Sequence, residues 1–128
     1  NLTRPQMTKI AMDGEKFCNM SGEDGTALPF LAAGGDGCIS VTANVIPSPM
    51  ADLVESALTG DVEQCNRLSQ KMSTLNSALF LEANPIPVKW ALAQMGMISS
   101  GIRLPLTTLD DAFHEPLRVA LKNYGIHI

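Results

Sequence analysis

A single run, GCISVTANV over residues 37–45, limits what this chain can fold into more than any other. It is short and apolar, carries β-branched residues, opens on a glycine and closes on the polar Thr42 and Asn44. Its apolar residues do not alternate cleanly with polar ones, which is the pattern of a strand buried on both faces. A second short strand is expected at residues 17–21 (FCNMS), where Gly22-Glu23-Asp24 then turns the chain into a helix. Two strands joined through a helix form a parallel βαβ unit with a right-handed crossover. Parallel strands need both faces covered and further strands beside them. The sequence offers no other strand of comparable strength, so the sheet is expected to be unfinished.

The remaining composition belongs to a soluble globular domain. The chain has 128 residues, enough for one ordinary domain with a real core, and its 45% hydrophobic and 17% charged content is not that of a disordered chain. No apolar run approaches the roughly 18 residues of a membrane span. A net charge of −4 with no basic stripe argues against nucleic acid as a partner. Cys18, Cys38 and Cys65 are odd in number and lack CxxC spacing, and two of them fall in expected strands, where cysteine acts as a small hydrophobe. A reduced, cytoplasmic location is therefore expected. The first residue is Asn1, with neither methionine nor signal peptide, which leads to the expectation of a cleaved or truncated product.

Helix signals fill the rest. Thr3-Arg4-Pro5-Gln6 matches a capping box for a helix bearing Met7, Ile10 and Ala11, stopped by Gly14. A helix is expected within residues 24–33, its regular part delayed by Pro29 and ended by Gly34-Gly35. Ser48 and Pro49 are expected to open the next helix, with Met50, Leu53, Val54, Ala57 and Leu58 on one side and Gly60 at its end. Helix, strand, helix, strand, helix is the spacing of a wound α/β fold. Beyond Gly60 no strand is expected. Asp61-Val62-Glu63-Gln64 caps a long helix whose Cys65, Leu68, Met72, Leu75 and Leu79 step by three and four as a packing seam. Asn84-Pro85-Ile86-Pro87 forces a break, a shorter helix runs to about Met95 with Gly96 as its cap, and residues 97–107 connect to a last helix from Thr108. Pro116 falls inside that helix, where a kink or a later start is expected.

Few residues point to chemistry unaided. Glu23 and Asp24 stand at the carboxyl end of a strand, where wound α/β folds keep their active sites, but their ordinary use is to cap the following helix. Ser40, Thr42 and Asn44 offer hydroxyls and an amide, with no histidine nearby in sequence to activate a nucleophile. His114 and His127 fit no ligand spacing, so neither a metal nor a cofactor is expected. Lys89 sits among apolar residues, a setting that lowers an amine's pKa when it is truly buried; the plainer reading is the solvated edge of a helix.

Several motifs occur together and in order: GCISVTANV, then ALFLEANPIPVKWAL after two helices, then IRLPLT, with Asn1-Leu2-Thr3-Arg4 and Ser21-Gly22-Glu23-Asp24 before them. Over essentially all 128 residues the chain resembles the C-terminal part of the dihydrodipicolinate synthase (4-hydroxy-tetrahydrodipicolinate synthase) family. The resemblance implies an α/β fold: the C-terminal part of a TIM (β/α)8 barrel, with residues 1–60 as its last βα units carrying strands 7 and 8. Residues 61–128 would then be an appended three-helix region that helps build a homotetramer. It implies a lyase that condenses pyruvate with L-aspartate 4-semialdehyde in lysine biosynthesis via diaminopimelate, through a Schiff base on a barrel lysine. That lysine would lie on the sixth strand, just upstream of Asn1, and the tyrosine–threonine proton relay further upstream still. Of the family's pocket the sequence matches two positions: Ile39, whose backbone carbonyl would lie beside pyruvate, and Gly22, which would leave room at the end of the seventh strand. Their plainer readings are barrel packing for Ile39 and an ordinary turn glycine for Gly22. The alternatives are an N-acetylneuraminate lyase-like aldolase of the same fold and a non-catalytic helical module that associates with copies of itself or a partner.

Overall fold

The computed structural model describes residues 4–12 and 17–128. Helix α1 (Arg4–Ala11) precedes strand β1 (Met20–Ser21), a 3-10 turn (Asp24–Thr26), α2 (Ala27–Ala32) and strand β2 (Gly37–Cys38). A second 3-10 turn (Thr42–Asn44) leads into α3 (Pro47–Thr59), followed by α4 (Val62–Ala78), α5 (Ile86–Gln94) and α6 (Asp111–Tyr124). The strands pair in parallel, Met20 opposite Gly37 and Ser21 opposite Cys38, with α2 as the crossover. The expected βαβ unit is present. The capping box at Thr3 and the stop at Gly14 lie outside the described residues.

Both strands are shorter than the runs at 17–21 and 37–41. Ladder-like bonds extend one residue past each end, from the Asp36 N–H to the Asn19 carbonyl at 2.8 Å and from the Ile39 N–H to the Ser21 carbonyl at 2.7 Å. Beyond Ile39 the Asp24 carboxylate takes the N–H groups of Val41 and Thr42, and Val41 adopts helical angles of φ −73 and ψ −45. A buried acceptor on a neighbouring loop thus curls the second half of the β-branched run into a turn.

The core lies among the helices. α4 packs against α3 and α6, and its Met72 and Leu75, with Leu79 just beyond its end, are at most 1% exposed. Burying each such side chain stabilises the fold by about 1.5–3 kcal/mol. The expected seam is therefore real, with Leu68 at its half-buried edge. Gly60 ends α3 in the left-handed region (φ +83), and the Asp61 carboxylate accepts the Gln64 N–H at 3.0 Å to open α4. α5 starts after Pro85, with Pro87 inside its first turn, and its Ile86, Pro87, Val88 and Ala91 are all buried.

Two helix starts differ from expectation. α3 begins at Pro47 rather than Pro49, with no side-chain cap from Ser48, because Pro47 already supplies the fixed φ of a first helical residue. α6 begins at Asp111 with Asp110 as its cap, three residues after Thr108, and runs through Pro116. There the Ala112 carbonyl loses its usual donor four residues on.

Candidate active site

Gly22 and Ile39 directly follow β1 and β2, and the parallel pairing carries both to the same end of the sheet. They line one cleft of about 550 Å³, closed on another side by Asn84, Val88, Lys89 and Leu92 from the start of α5 and the residues before it. The structure thus brings together the two positions singled out in the sequence and adds Lys89, which the sequence reading set aside. Nothing lies within 4 Å of where a Cβ on Gly22 would stand, so no described atom requires glycine there. Ile39 is 72% exposed, and its carbonyl accepts no hydrogen bond among the described residues.

Below the cleft runs a buried polar relay. Asp24 is 4% exposed and does not cap its own helix; its Oδ2 accepts the N–H groups of Val41 at 2.9 Å and Thr42 at 3.1 Å. The capping role expected of Glu23 and Asp24 is corrected accordingly, since the carboxylate serves the turn 17 and 18 residues away. Thr42 is fully buried and donates its hydroxyl to the Asn76 Oδ1 of α4 at 2.8 Å. Asp24 Oδ1 is buried with no hydrogen-bond partner among the described residues. Asn76 was missed in the sequence, although a polar residue on the buried face of α4, next to Leu75, was a usable signal.

The other candidates are held in structural roles. The Ser40 hydroxyl accepts the Ala43 N–H at 2.8 Å, and the Asn44 amide donates to the Val41 carbonyl at 3.0 Å. Neither is an activated nucleophile. The Cys38 thiol is pushed up to about 11 by burial, with the nearby Asp24 and Glu23 carboxylates adding to the shift and a Ser21 hydrogen bond opposing it. A thiol held so firmly protonated is unreactive at neutral pH. His114 stacks on Trp90 with ring centroids 5.0 Å apart and places Nε2 3.1 Å from the Leu109 carbonyl, tying α6 to α5. Among the described residues no group of three His, Cys, Asp or Glu could hold a metal ion, and no helix is long and apolar enough to cross a membrane.

An α/β chain with its loops gathered at the strands' carboxyl end has close structural counterparts. The crystal structure of the chloride-inhibited dihydrodipicolinate synthase from Acinetobacter baumannii complexed with pyruvate superposes with a TM-score of 0.92 at 46% identity, covering 99% of this chain and 43% of that one. The 4-hydroxy-tetrahydrodipicolinate synthase of Marinobacter nauticus is 52% identical over 126 residues, 98% of this chain and 43% of that enzyme. That of Pseudomonas savastanoi pv. phaseolicola is 50% identical over 117 residues, 91% of this chain and 40% of that enzyme. The profile of the Dihydrodipicolinate synthetase family matches residues 2–124, and the chain belongs to that family. It spans about 40% of the length of the curated relatives it matches. The resemblance read in the motifs is therefore confirmed.

Proposed function

We propose that this chain is the C-terminal part of a pyruvate-dependent lyase, 4-hydroxy-tetrahydrodipicolinate synthase. In this reading β1 and β2 are the seventh and eighth strands of a (β/α)8 barrel, α1 to α3 are barrel helices, and residues 61–128 form an appended helical region. The complete cytoplasmic enzyme condenses pyruvate with L-aspartate 4-semialdehyde through a Schiff base and assembles as a homotetramer. One observation carries the proposal: nearly the whole chain superposes on under half of a relative solved with pyruvate.

The chemistry assigns the roles. An amine attacks a ketone only when unprotonated, so the imine-forming lysine needs a pocket that lowers its pKa and holds the carbonyl close. In this reading that lysine lies upstream of Asn1. Ile39 contributes its backbone carbonyl beside pyruvate, and Gly22 keeps the end of the seventh strand free of a side chain. Among the described residues no lysine is carried on a strand or on the residues directly following one, where a barrel gathers its reacting groups, and Lys89 reaches the cleft only from a helix. Lys71 lies on α4 under the Tyr124 ring, 5.0 Å from its centroid, Lys89 is on α5 and Lys122 on α6.

Borohydride reduction in the presence of pyruvate tests the assignment. The chain alone should show no added mass, whereas the complete enzyme should gain one pyruvate-derived adduct per chain, on a lysine upstream of Asn1. A stoichiometric adduct on a lysine of the isolated chain would overturn this placement of the active site.

A further inference from the structure

Among the described residues, the cleft that holds Gly22 and Ile39 is lined by one charged side chain, Lys89, with neutral neighbours. Lys89 is the fourth residue of α5, nearer the helix's positive end than its negative one, so its charge gains nothing from the helix dipole. It is half-buried and forms no ion pair among the described residues, in a chain whose net charge is −4. Its charge is thus left without a partner among the described residues and open to a ligand of the cleft.

We propose that Lys89 is a capture residue for the anionic substrate, drawing the pyruvate carboxylate into the cleft before the imine forms. The inference rests on the cleft being the pyruvate entrance. A lone positive charge on a low-dielectric wall raises the local concentration of a monoanion, an effect that salt screens. Pyruvate carries a full negative charge at neutral pH. L-aspartate 4-semialdehyde carries an ammonium beside its carboxylate and is neutral overall. The field of Lys89 therefore acts on the first substrate much more than on the second. Because the residue acts before chemistry, turnover at saturating substrate is unaffected.

The test uses the complete enzyme with Lys89→Met, Lys89→Arg and Gly22→Val variants, assayed at low and at high ionic strength. Lys89→Met should lower kcat/KM for pyruvate roughly three- to tenfold at low salt, less than the tenfold or more that a cleft lined with several like charges supplies. The deficit should vanish at high salt, kcat and the KM for the semialdehyde should stay near wild type, and Lys89→Arg should restore the wild-type values. No change in Lys89→Met, a loss equal at both salt concentrations, or a loss that arginine does not restore would each overturn the inference. Gly22→Val examines the entrance separately. If it leaves the KM for pyruvate and the borohydride adduct unchanged, the cleft assignment itself fails. If it impairs both while Lys89→Met is silent, only the role of Lys89 fails.

Discussion

Thr42 ties the strand half of the chain to the helical half through two bonds. Its N–H meets Asp24 and its hydroxyl meets Asn76, and all three residues are buried. Thr42→Val keeps the shape but leaves the Asn76 carbonyl oxygen buried and unpaired, which should cost about 1–3 kcal/mol. Thr42→Ser keeps the hydroxyl and should cost less, about 0.8 kcal/mol for one carbon. Urea unfolding of the complete enzyme carrying each variant checks the difference; equal midpoints would show that the hydroxyl contributes nothing. At this scale the sequence is legible only where a contact is local or a motif is shared. Gly22 and Ile39 were singled out through their motifs, and the Asp61 cap was legible in its spacing. Asp24 was assigned to its neighbours because nothing in the sequence marks a partner 17 residues on.

Element boundaries follow the same division. Gly60, Gly96 and Gly125 all have positive φ just past a helix, and each such stop follows from a conformation that side chains disfavour. Gly60→Ala forces a Cβ into the left-handed region at the α3–α4 joint, although nothing within 4 Å blocks it sterically. It should therefore destabilise by roughly 1–2 kcal/mol from backbone strain alone. Thermal unfolding of the complete enzyme followed by circular dichroism reads the shift, and an unchanged midpoint would mean that the joint relaxes to another conformation. The start of α6 was misread because two capping residues compete within three positions. Glu82, from the loop before α5, accepts the Asp110 N–H at 3.0 Å and holds that residue extended (φ −62, ψ 138), so the helix opens only after it. The tie spans 28 residues and has no local sign.

At the scale of the fold, a packed helical core adjoins a parallel sheet that has two strands among the described residues, with unfinished edges. Phe17, Met20 and Ile39 are 51%, 41% and 72% exposed, and an apolar groove of about 730 Å³ runs beside β2 along Met50, Val54 and Leu58 of α3. Unpaired strand edges and exposed apolar surface favour association. Sedimentation of the chain alone should show oligomers, aggregates or a molten state, and a compact monomer with a cooperative thermal transition would overturn this. What could be read before any coordinates were known is what short-range chemistry dictates: the order of elements, the α4 seam, the glycine and proline stops, and a sheet too small to stand alone. Folding added the contacts between residues far apart in the chain. The Asp24 carboxylate halved an expected strand by curling its end into a turn. The packing of α5 against the Thr42–Asn44 turn brought Lys89 into the cleft with Gly22 and Ile39. Periodicity and propensity act over a few residues, whereas a buried hydrogen bond or a shared cleft depends on which segments meet.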